Sequence, residues 1–299
     1  MKFLVSSDWH FRMDKPRCRV DEDWFGTQRD RARWLVSQIN KYECPMFDAG
    51  DTIDSGVIPP LLENMLIEEF NKTKYSIYSI AGNHTLLYHS INHLKKGSYW
   101  VLNQAKAITH IEGTQPLNNL QGFVDDTNIT AFQYGEKMVN GTGIAVCHRL
   151  VFPNEPPPYL PSAVNAKDLL DMYDYDIILS GDNHMAFFTE HNGKVLINGG
   201  GILRQTADKK YQTPQIFLYE DGVITAIEVP VNIENVQQEY LLEEKDRDNR
   251  INTFVERVQV SHDLGLNFVD NVEASLKETP LEDSVVQIIY KALKQELIN

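Results

Sequence analysis

No apolar run in the sequence approaches the ~20 residues needed to cross a bilayer, so no membrane association through a spanning helix is expected. The opening MKFLVSSDWH reaches Asp8 after too few apolar residues for a secretory leader, and a soluble, cytoplasmic protein is expected. Cysteine is scarce. Cys18, Cys44 and Cys147 are odd in number and show no CxxC spacing, so neither a disulfide framework nor a thiolate zinc site is suggested. Cys44 and Cys147 lie in or beside strand-like runs and are expected to be buried and reduced. Positive charge is short as well: 28 Lys and Arg face 42 Asp and Glu, a net charge of −14. This counts against a broad basic face that grips nucleic acid. A nucleic-acid substrate is not excluded, because bound divalent cations or a basic partner subunit can supply the missing charge.

What is present suits a sizeable core. The 299 residues are 42% hydrophobic and 10% aromatic, enough for one large domain or one domain with a smaller addition. Short apolar runs alternate with helical patterns, which argues for an α/β fold. KFLVSS, PMFDAG, YSIYSI, GIAVCH and DIILSG read as strands near residues 2–7, 45–50, 75–80, 143–148 and 176–181. Residues 24–42 carry Phe25, Ala32, Leu35, Val36 and Ile39 at helical spacing, and 61–70 and 165–173 are also helical. From about residue 186 the texture becomes that of β-hairpins, turned at Asn192-Gly193 and Asp221-Gly222.

After Pro230 it changes again. Residues 233–258 and 281–297 are helical and charged, the second with Leu281, Val285, Ile288, Ile289, Ala292 and Leu297 on one stripe. Residues 231–299 hold fourteen acidic and seven basic side chains, half of the whole charge excess. The expected division is therefore 1–230 and 231–299.

The carboxyl ends of the five strands carry chemistry. Asp8 and His10 end the first, Asp51 and Asp54 the second, Asn83 and His84 the third, His148 the fourth, and Asp182 and His184 the fifth. Ligands of open α/β sheets bind beyond the carboxyl ends of the strands, so these side chains should share one crevice. Mixed carboxylate and imidazole donors suit Mn²⁺, Fe or Zn²⁺ better than Mg²⁺ or Ca²⁺. Singly, each element is a turn or a capped loop; their order and shared placement argue for a joint site. Trp9, between two proposed ligands, should point to the opposite face and pack. His89 and His93, four apart, lack the glutamate of an HExxH site and read as a surface pair.

The series SDWH, GDTID, AGNH, CH and GDNH resembles the calcineurin-like metallophosphoesterase superfamily, whose pattern is DxH, GDxxD, GNH, a single His and GHxH. The resemblance spans residues 6–184. It implies a two-sheet β-sandwich flanked by helices, an αββα arrangement, here with a C-terminal helical extension. It implies two divalent metal ions, with Mn²⁺ the leading candidate, and metal-dependent phosphoester hydrolysis. Carried over by position, Asp8, His10, Asp51 and His184 would hold the first ion. Asp51 would bridge to the second, which Asn83, His148 and Asp182 would complete. His84 would be the catalytic imidazole at the substrate phosphate, oriented by Asp54. Asp182 departs from the pattern, standing where the family has a histidine. Two further departures are Thr85, where many relatives have an acidic residue, and Gly199-Gly200-Gly201 in place of a PGS-like turn.

Residues 10–35 and 196–222 look like those of SbcD-type DNA exonuclease subunits, especially the shorter versions typical of bacteriophages. That likeness implies a Mn²⁺-dependent nuclease acting on DNA in repair, recombination or replication. Its implied partner is an SbcC-type coiled-coil ABC ATPase, docked by the acidic C-terminal helices; a homodimer is compatible with it. If phage-encoded, the protein would work in the host-cell cytoplasm. Arg17, Arg19, Arg149 and Arg204 are candidate contacts to the phosphate backbone, against the plainer reading that they solvate the surface or pair with Asp14, Asp21 and Glu22. Two other readings stand beside the nuclease: a phosphatase or small-molecule phosphodiesterase of the same superfamily, and a non-catalytic scaffold with a decayed site.

Overall fold

The computed structural model describes residues 1–238, 272, 276–277 and 281–296. The chain divides into two compact units, Met1–Gln237 and Gln238–Asn299. The first therefore runs seven residues beyond the expected boundary.

In the first unit two six-stranded sheets lie face to face. One has the order β14 (Val223–Glu228), β13 (Gln215–Glu220), β1 (Lys2–Ser6), β2 (Met46–Asp48), β3 (Ile77–Ser79), β4 (Thr109–His110). The other runs β11 (Phe187–His191), β12 (Lys194–Asn198), β10 (Ile177–Gly181), β7 (Ile144–His148), β6 (Asn128–Phe132), β5 (Gly113–Pro116). A short parallel pair, β8 (Val151–Phe152) with β9 (Val164–Asn165), stands apart.

Alternation along the strands decides the layers. Phe3, Val5, Phe47 and Tyr78 of the first sheet pack with Ile144, Val146, Ile177 and Leu179 of the second, forming the core between the sheets. Leu4, Met46 and Ile77 face the other way. They pack under α1 (Trp24–Tyr42), α2 (Pro60–Phe70) and α3 (Ser98–Gln104). On the far side, Ala145, Cys147 and Ile178 pack under α4 (Ala166–Met172). The result is the expected αββα sandwich.

Both hairpins turn where expected. Asn192 and Gly193, and Asp221 and Gly222, all have positive φ, which is what a two-residue type I′ turn demands. Helix α1 begins at Asp23, whose carboxylate accepts from the Gly26 N–H at 2.7 Å. Trp9 is fully buried against Phe11 and Phe70 and donates to the Ser6 hydroxyl at 2.8 Å. All three cysteines are free and buried.

In the second unit, helix α5 (Asp283–Glu296) falls where the apolar stripe predicts a helix. Ile289 is buried with Val272, and Leu281 and Val285 pack on them, but Ile288 faces solvent. The Ala292 side chain and Leu297 lie outside the described residues, as does most of the helix expected over 233–258, whose described start is a single 3-10 turn, Ile233–Asn235. Among the described residues no helix is long and apolar enough to cross a membrane.

Candidate metal centre

The five strand ends come from two sheets, not one. β1, β2 and β3 run parallel in the first sheet, and β7 and β10 run parallel in the second. The sandwich brings their carboxyl ends to one rim. Donor atoms of Asp8, His10 and His184 lie within 4.8 Å of one another; so do those of Asp8, Asp51 and His148, and those of His10, Asp51 and His84.

The backbone is strained where the donors leave the sheets. Asp8, His10, Asp51 and Asp182 all have positive φ, between 52° and 79° for the aspartates and 47° for His10. Such conformations are costly for side chains larger than glycine and gather at functional sites. Main-chain bonds between the two rim loops hold them: the Asp8 N–H donates to Gly50 O at 2.9 Å and the His10 N–H to Asp51 O at 2.9 Å. Glycines allow the close approach. A Cβ on Gly82 would stand 2.2 Å from Asp51 Oδ1, and one on Gly199 would stand 2.3 Å from the Ser6 carbonyl carbon.

The imidazoles of His148 and His10 each have one nitrogen anchored and the other turned inward. His148 Nδ1 donates to Ala49 O at 2.8 Å, leaving Nε2 3.2 Å from Asp51 Oδ2 and 3.0 Å from Asn83 Oδ1. His10 Nδ1 lies 3.0 Å from Asp54 Oδ1, leaving Nε2 3.1 Å from His184 Nε2. Asp8 Oδ1 stands 3.9 Å from both of those ring nitrogens. An outer partner on the far nitrogen is the usual support of a metal-binding histidine. Two inward imidazole nitrogens converging beside a carboxylate repel unless a cation or proton lies between them. The donor set thus fits the divalent ions that accept mixed oxygen and nitrogen ligands.

The electrostatics agree. Burial would push the Asp51 carboxyl up, but the imidazoles of His148, His10 and His84 outweigh it and hold it at about 2. Burial would lower His148, but Asp51, Asp8 and Asp182 raise it to about 10. His184 goes the other way, to about 4, through burial and the nearby His10, against the pull of Asp8. Without a metal ion this basin draws protons; with one, the carboxylates find a better counter-ion.

Asp182 contributes twice. Its N–H donates to both Asp8 carboxylate oxygens, at 3.0 and 3.2 Å, and its own Oδ1 stands 4.0 Å from His148 Nε2. Burial raises its pKa, with Asp8 and Asp51 adding to the rise and His148 opposing it. The three-glycine turn supports the neighbouring ligand: the Gly201 N–H donates to His184 O at 3.0 Å. Thr85 is buried and caps its turn by donating to Gly82 O at 2.8 Å, where many relatives would carry a charge.

Asp54 touches His84 through its main-chain carbonyl more closely than through its carboxylate. Its carboxylate serves His10, and its other oxygen takes the Arg12 guanidinium at 2.9 Å. His84 lies 3.2 Å by its Nδ1 from the Asp54 main-chain carbonyl and 3.6 Å from Oδ1. The His84 side chain is 43% exposed and its ring stands edge-on to His10 at 4.7 Å.

The arginines are corrected in part. Arg19 is buried, fork to fork with Asp21 at 2.7 Å and over the Trp24 ring. Arg204 is buried and donates to the carbonyls of Lys210 and Asn232. Both guanidinium groups are committed to the protein's own acceptors, so neither is a phosphate contact. Arg17 is exposed on the same loop, and Arg149 is half-buried beside His148.

Several supporting residues escape a reading by motif. Arg12 braces Asp54, the Ser7 hydroxyl donates to Asp8, and Gln205 and Gln212 donate to the carbonyls of His10 and His184. His89 is exposed, as expected of a surface residue, and its Nδ1 also lies 2.9 Å from Asn83 O. Arg12 and Ser7 adjoin the DxH motif, which is the one signal that could have found them.

A two-sheet sandwich with this donor cluster on its rim defines a metallohydrolase scaffold. The chain belongs to the calcineurin-like phosphoesterase family, whose model matches residues 1–186. Among solved structures it is similar to an archaeal phosphodiesterase, at 14% identity over 76% of this chain and 99% of that one, TM-score 0.41. It is also similar to a putative 5′-nucleotidase from Staphylococcus aureus, at 13% identity over 80% of this chain and 56% of that one, TM-score 0.45. A third is Vps29 from Entamoeba histolytica complexed with zinc, at 12% identity over 77% and 98%, TM-score 0.34. Comparison with curated proteins returns no match.

Proposed function

We propose that the protein is a two-metal phosphodiester hydrolase, and that its substrate is DNA. The observation that supports catalysis over a bare scaffold is His84. Its ring is exposed at the mouth of the donor cluster, steadied through Nδ1 by the Asp54 carbonyl and set edge-on to His10. A decayed site has no use for a solvent-facing imidazole held in one orientation.

Asp8, His10, Asp51 and His184 would hold one ion, and Asp51, Asn83, His148 and Asp182 the other. Bound divalent ions would supply ionised water near neutral pH and neutralise the phosphoryl oxygens. The protein's own groups do the rest. His84 presents its free nitrogen to the substrate, where it donates a proton to the departing oxygen or stabilises charge on the phosphate. Asp54 and Arg12 fix the His10 ring, and Ser7 and the Asp182 N–H fix Asp8.

DNA as substrate, and an SbcC-type ATPase as partner for the C-terminal region, rest on the likeness of residues 10–35 and 196–222 to SbcD-type nucleases. The acidic composition fits a nuclease whose grip on DNA is shared with metal ions and a partner. The test is incubation with Mn²⁺ and labelled linear duplex or single strands, with and without the ATPase, and with His84→Ala as control. Metal-dependent cleavage that His84→Ala abolishes is the expected result. Hydrolysis of p-nitrophenyl phosphate with none of DNA would make the protein a phosphatase instead. Failure of a co-expressed ATPase to co-purify would remove the partner.

A further inference from the structure

Beside the donor cluster opens a cleft of about 620 Å³ that the reaction as described leaves unused. His148 and Asp182 are among its lining residues, so it borders the second proposed metal position. Its walls are mixed. Phe132, Met138 and Tyr134 give apolar and aromatic surface, and Arg149, Lys137 and Glu136 line it with charge of both signs. The Tyr134 ring lies 6.2 Å from the His148 ring, at 68°, half-buried with the remainder open.

Two features separate this cleft from a casual groove. The first is Arg149. Arg12, Arg19, Arg31, Arg33 and Arg204 each give their guanidinium to a carboxylate or a carbonyl of the protein. Arg149 has no hydrogen bond or ion pair among the described residues; Arg29 of α1 has none either, but it does not line the cleft. A half-buried guanidinium with no acceptor is poised for an anion from outside, and its planar fork suits phosphate. The second is rigidity. The Tyr134 N–H donates to Ala81 O at 2.9 Å, and the Gln133 side chain joins the Ala81 N–H and Ile111 O. Ala81 immediately precedes Gly82, Asn83 and His84. The aromatic wall and the catalytic imidazole are therefore carried on one braced unit, and a group lying against Tyr134 has a fixed position relative to His84.

We propose that this cleft seats the nucleoside flanking the scissile phosphate, with the base against Tyr134 and the next phosphate along the strand on Arg149. The inference rests on the diester-hydrolase reading above and deepens it, since it names what the site recognises. An aromatic face with apolar neighbours takes any nucleobase by stacking and reads no sequence. A single guanidinium one nucleoside away rewards a strand over a free mononucleotide.

The test uses the full chain and three diesters with the same leaving group: methyl p-nitrophenyl phosphate, thymidine 5′-(p-nitrophenyl phosphate), and its analogue with a further phosphate on the 3′-oxygen. For Tyr134→Ala, the KM of the thymidine ester relative to the methyl ester should rise about tenfold or more, and Tyr134→Phe, which keeps the ring, should restore the wild-type ratio. For Arg149→Ala, only the ester bearing the extra phosphate should lose its advantage. An equal advantage lost from the plain thymidine ester would mean that a free nucleotide, not a strand, is the natural occupant, and would overturn the role given to Arg149. A second readout needs no turnover: calorimetric titration of the metal-free protein with thymidine 3′,5′-bisphosphate, which Tyr134→Ala should weaken about tenfold. Unchanged KM ratios and unchanged binding in Tyr134→Ala would refute the cleft. Absence of diester hydrolysis in the wild type, with bisphosphate binding still sensitive to Tyr134, would instead refute the hydrolase reading and leave the cleft standing.

Discussion

At the scale of single residues the proposed roles separate cleanly. His84 is on the rim and half-exposed, whereas the proposed ligands Asp8, His10, Asp51 and His148 are buried. His84→Ala should therefore lower turnover by about 10²–10⁴-fold with metal content unchanged, checked by rate measurement beside metal analysis of the same sample. Asp182 answers a different question. Its carboxylate faces His148 at 4.0 Å, but its N–H also steadies Asp8, and only the first function depends on the side chain. Asp182→Ala should reduce bound metal from two ions towards one per chain. Two ions retained would make it a turn residue. An Asp in place of a His exchanges a nitrogen donor for an oxygen, so Asp182→His should move the preference from Mn²⁺ towards Zn²⁺ in competition measurements.

At the scale of elements, turns and strand ends control the site more than the strands do. β3 stops at Ser79, and the loop that follows must pass close beneath Asp51. Gly82→Ala puts a methyl group where Asp51 Oδ1 now lies, so binding of both ions should fall together in metal analysis. β4 and α3 meet at His110, which lies 3.0 Å by its Nδ1 from the Tyr99 hydroxyl. Burial holds this imidazole below its ordinary 6.5, with Glu112 pulling it up and Lys95 pushing it down. An unfolded chain takes the proton first, so stability is complete above about pH 6.5 and is lost as the pH falls towards the lower folded value, by at most ~1.4 kcal/mol per unit. Urea midpoints near pH 7.5 and 5.5 should therefore drop more for the wild type than for His110→Gln. Comparing the two isolates His110 from the other histidines, some of which shift the opposite way. These elements also mark where sequence reading stopped. Strands ending in Asp or His, and hairpins turned at Asn-Gly and Asp-Gly, are legible because a local chemical need is written in a few adjacent residues. Helix α3 and strands β4 to β6 are not, because two strands are four residues or shorter and partly polar, and only tertiary packing makes them regular. The donors of the site were legible for the same reason as the hairpins. Their supports were not: Arg12 on Asp54, Gln205 on His10 O and Gln212 on His184 O are meetings of distant segments without a spacing rule. Arg19 pairs with Asp21, as the plainer of its two readings has it, and Arg204 turns to buried carbonyls, because a basic residue near a motif looks the same in sequence whether it faces phosphate or the protein's own acceptors.

At the scale of the whole molecule, the change of texture after Pro230 lies close to the division between the two compact units. The segment from Pro230 to Gln237 is stitched to the first unit. Arg31 donates to Pro230 O at 2.6 Å, Arg204 to Asn232 O, Val20 N–H to Asn235 O at 3.1 Å and Gln237 N–H to Cys18 O at 2.8 Å. The Asn235 amide reaches Asp21 at 2.7 Å, the same carboxylate that pairs with Arg19. Three arginines, Arg19, Arg31 and Arg204, lie close enough that the other two help burial lower Arg31 to about 10. Such a cluster is tolerable only while carbonyls and Asp21 satisfy it. Cutting the chain after Pro230 removes the Asn232 carbonyl from a buried guanidinium and the Asn235 amide from Asp21. The Arg204 guanidinium nitrogen left without Asn232 O should cost about 1–3 kcal/mol, whereas Asp21 keeps Arg19 and Thr27. Cutting after Gln237 leaves every one of these bonds in place, along with the three core clusters of the first unit. The chain ending at Gln237 should unfold cooperatively in urea, bind metal like the full protein and lose only the proposed ATPase partner in co-purification. The chain ending at Pro230 should unfold at distinctly lower urea. Equal midpoints for the two would show that the stitched segment is passive. A chain ending at Gln237 that still captured the ATPase would place the docking surface within the catalytic unit.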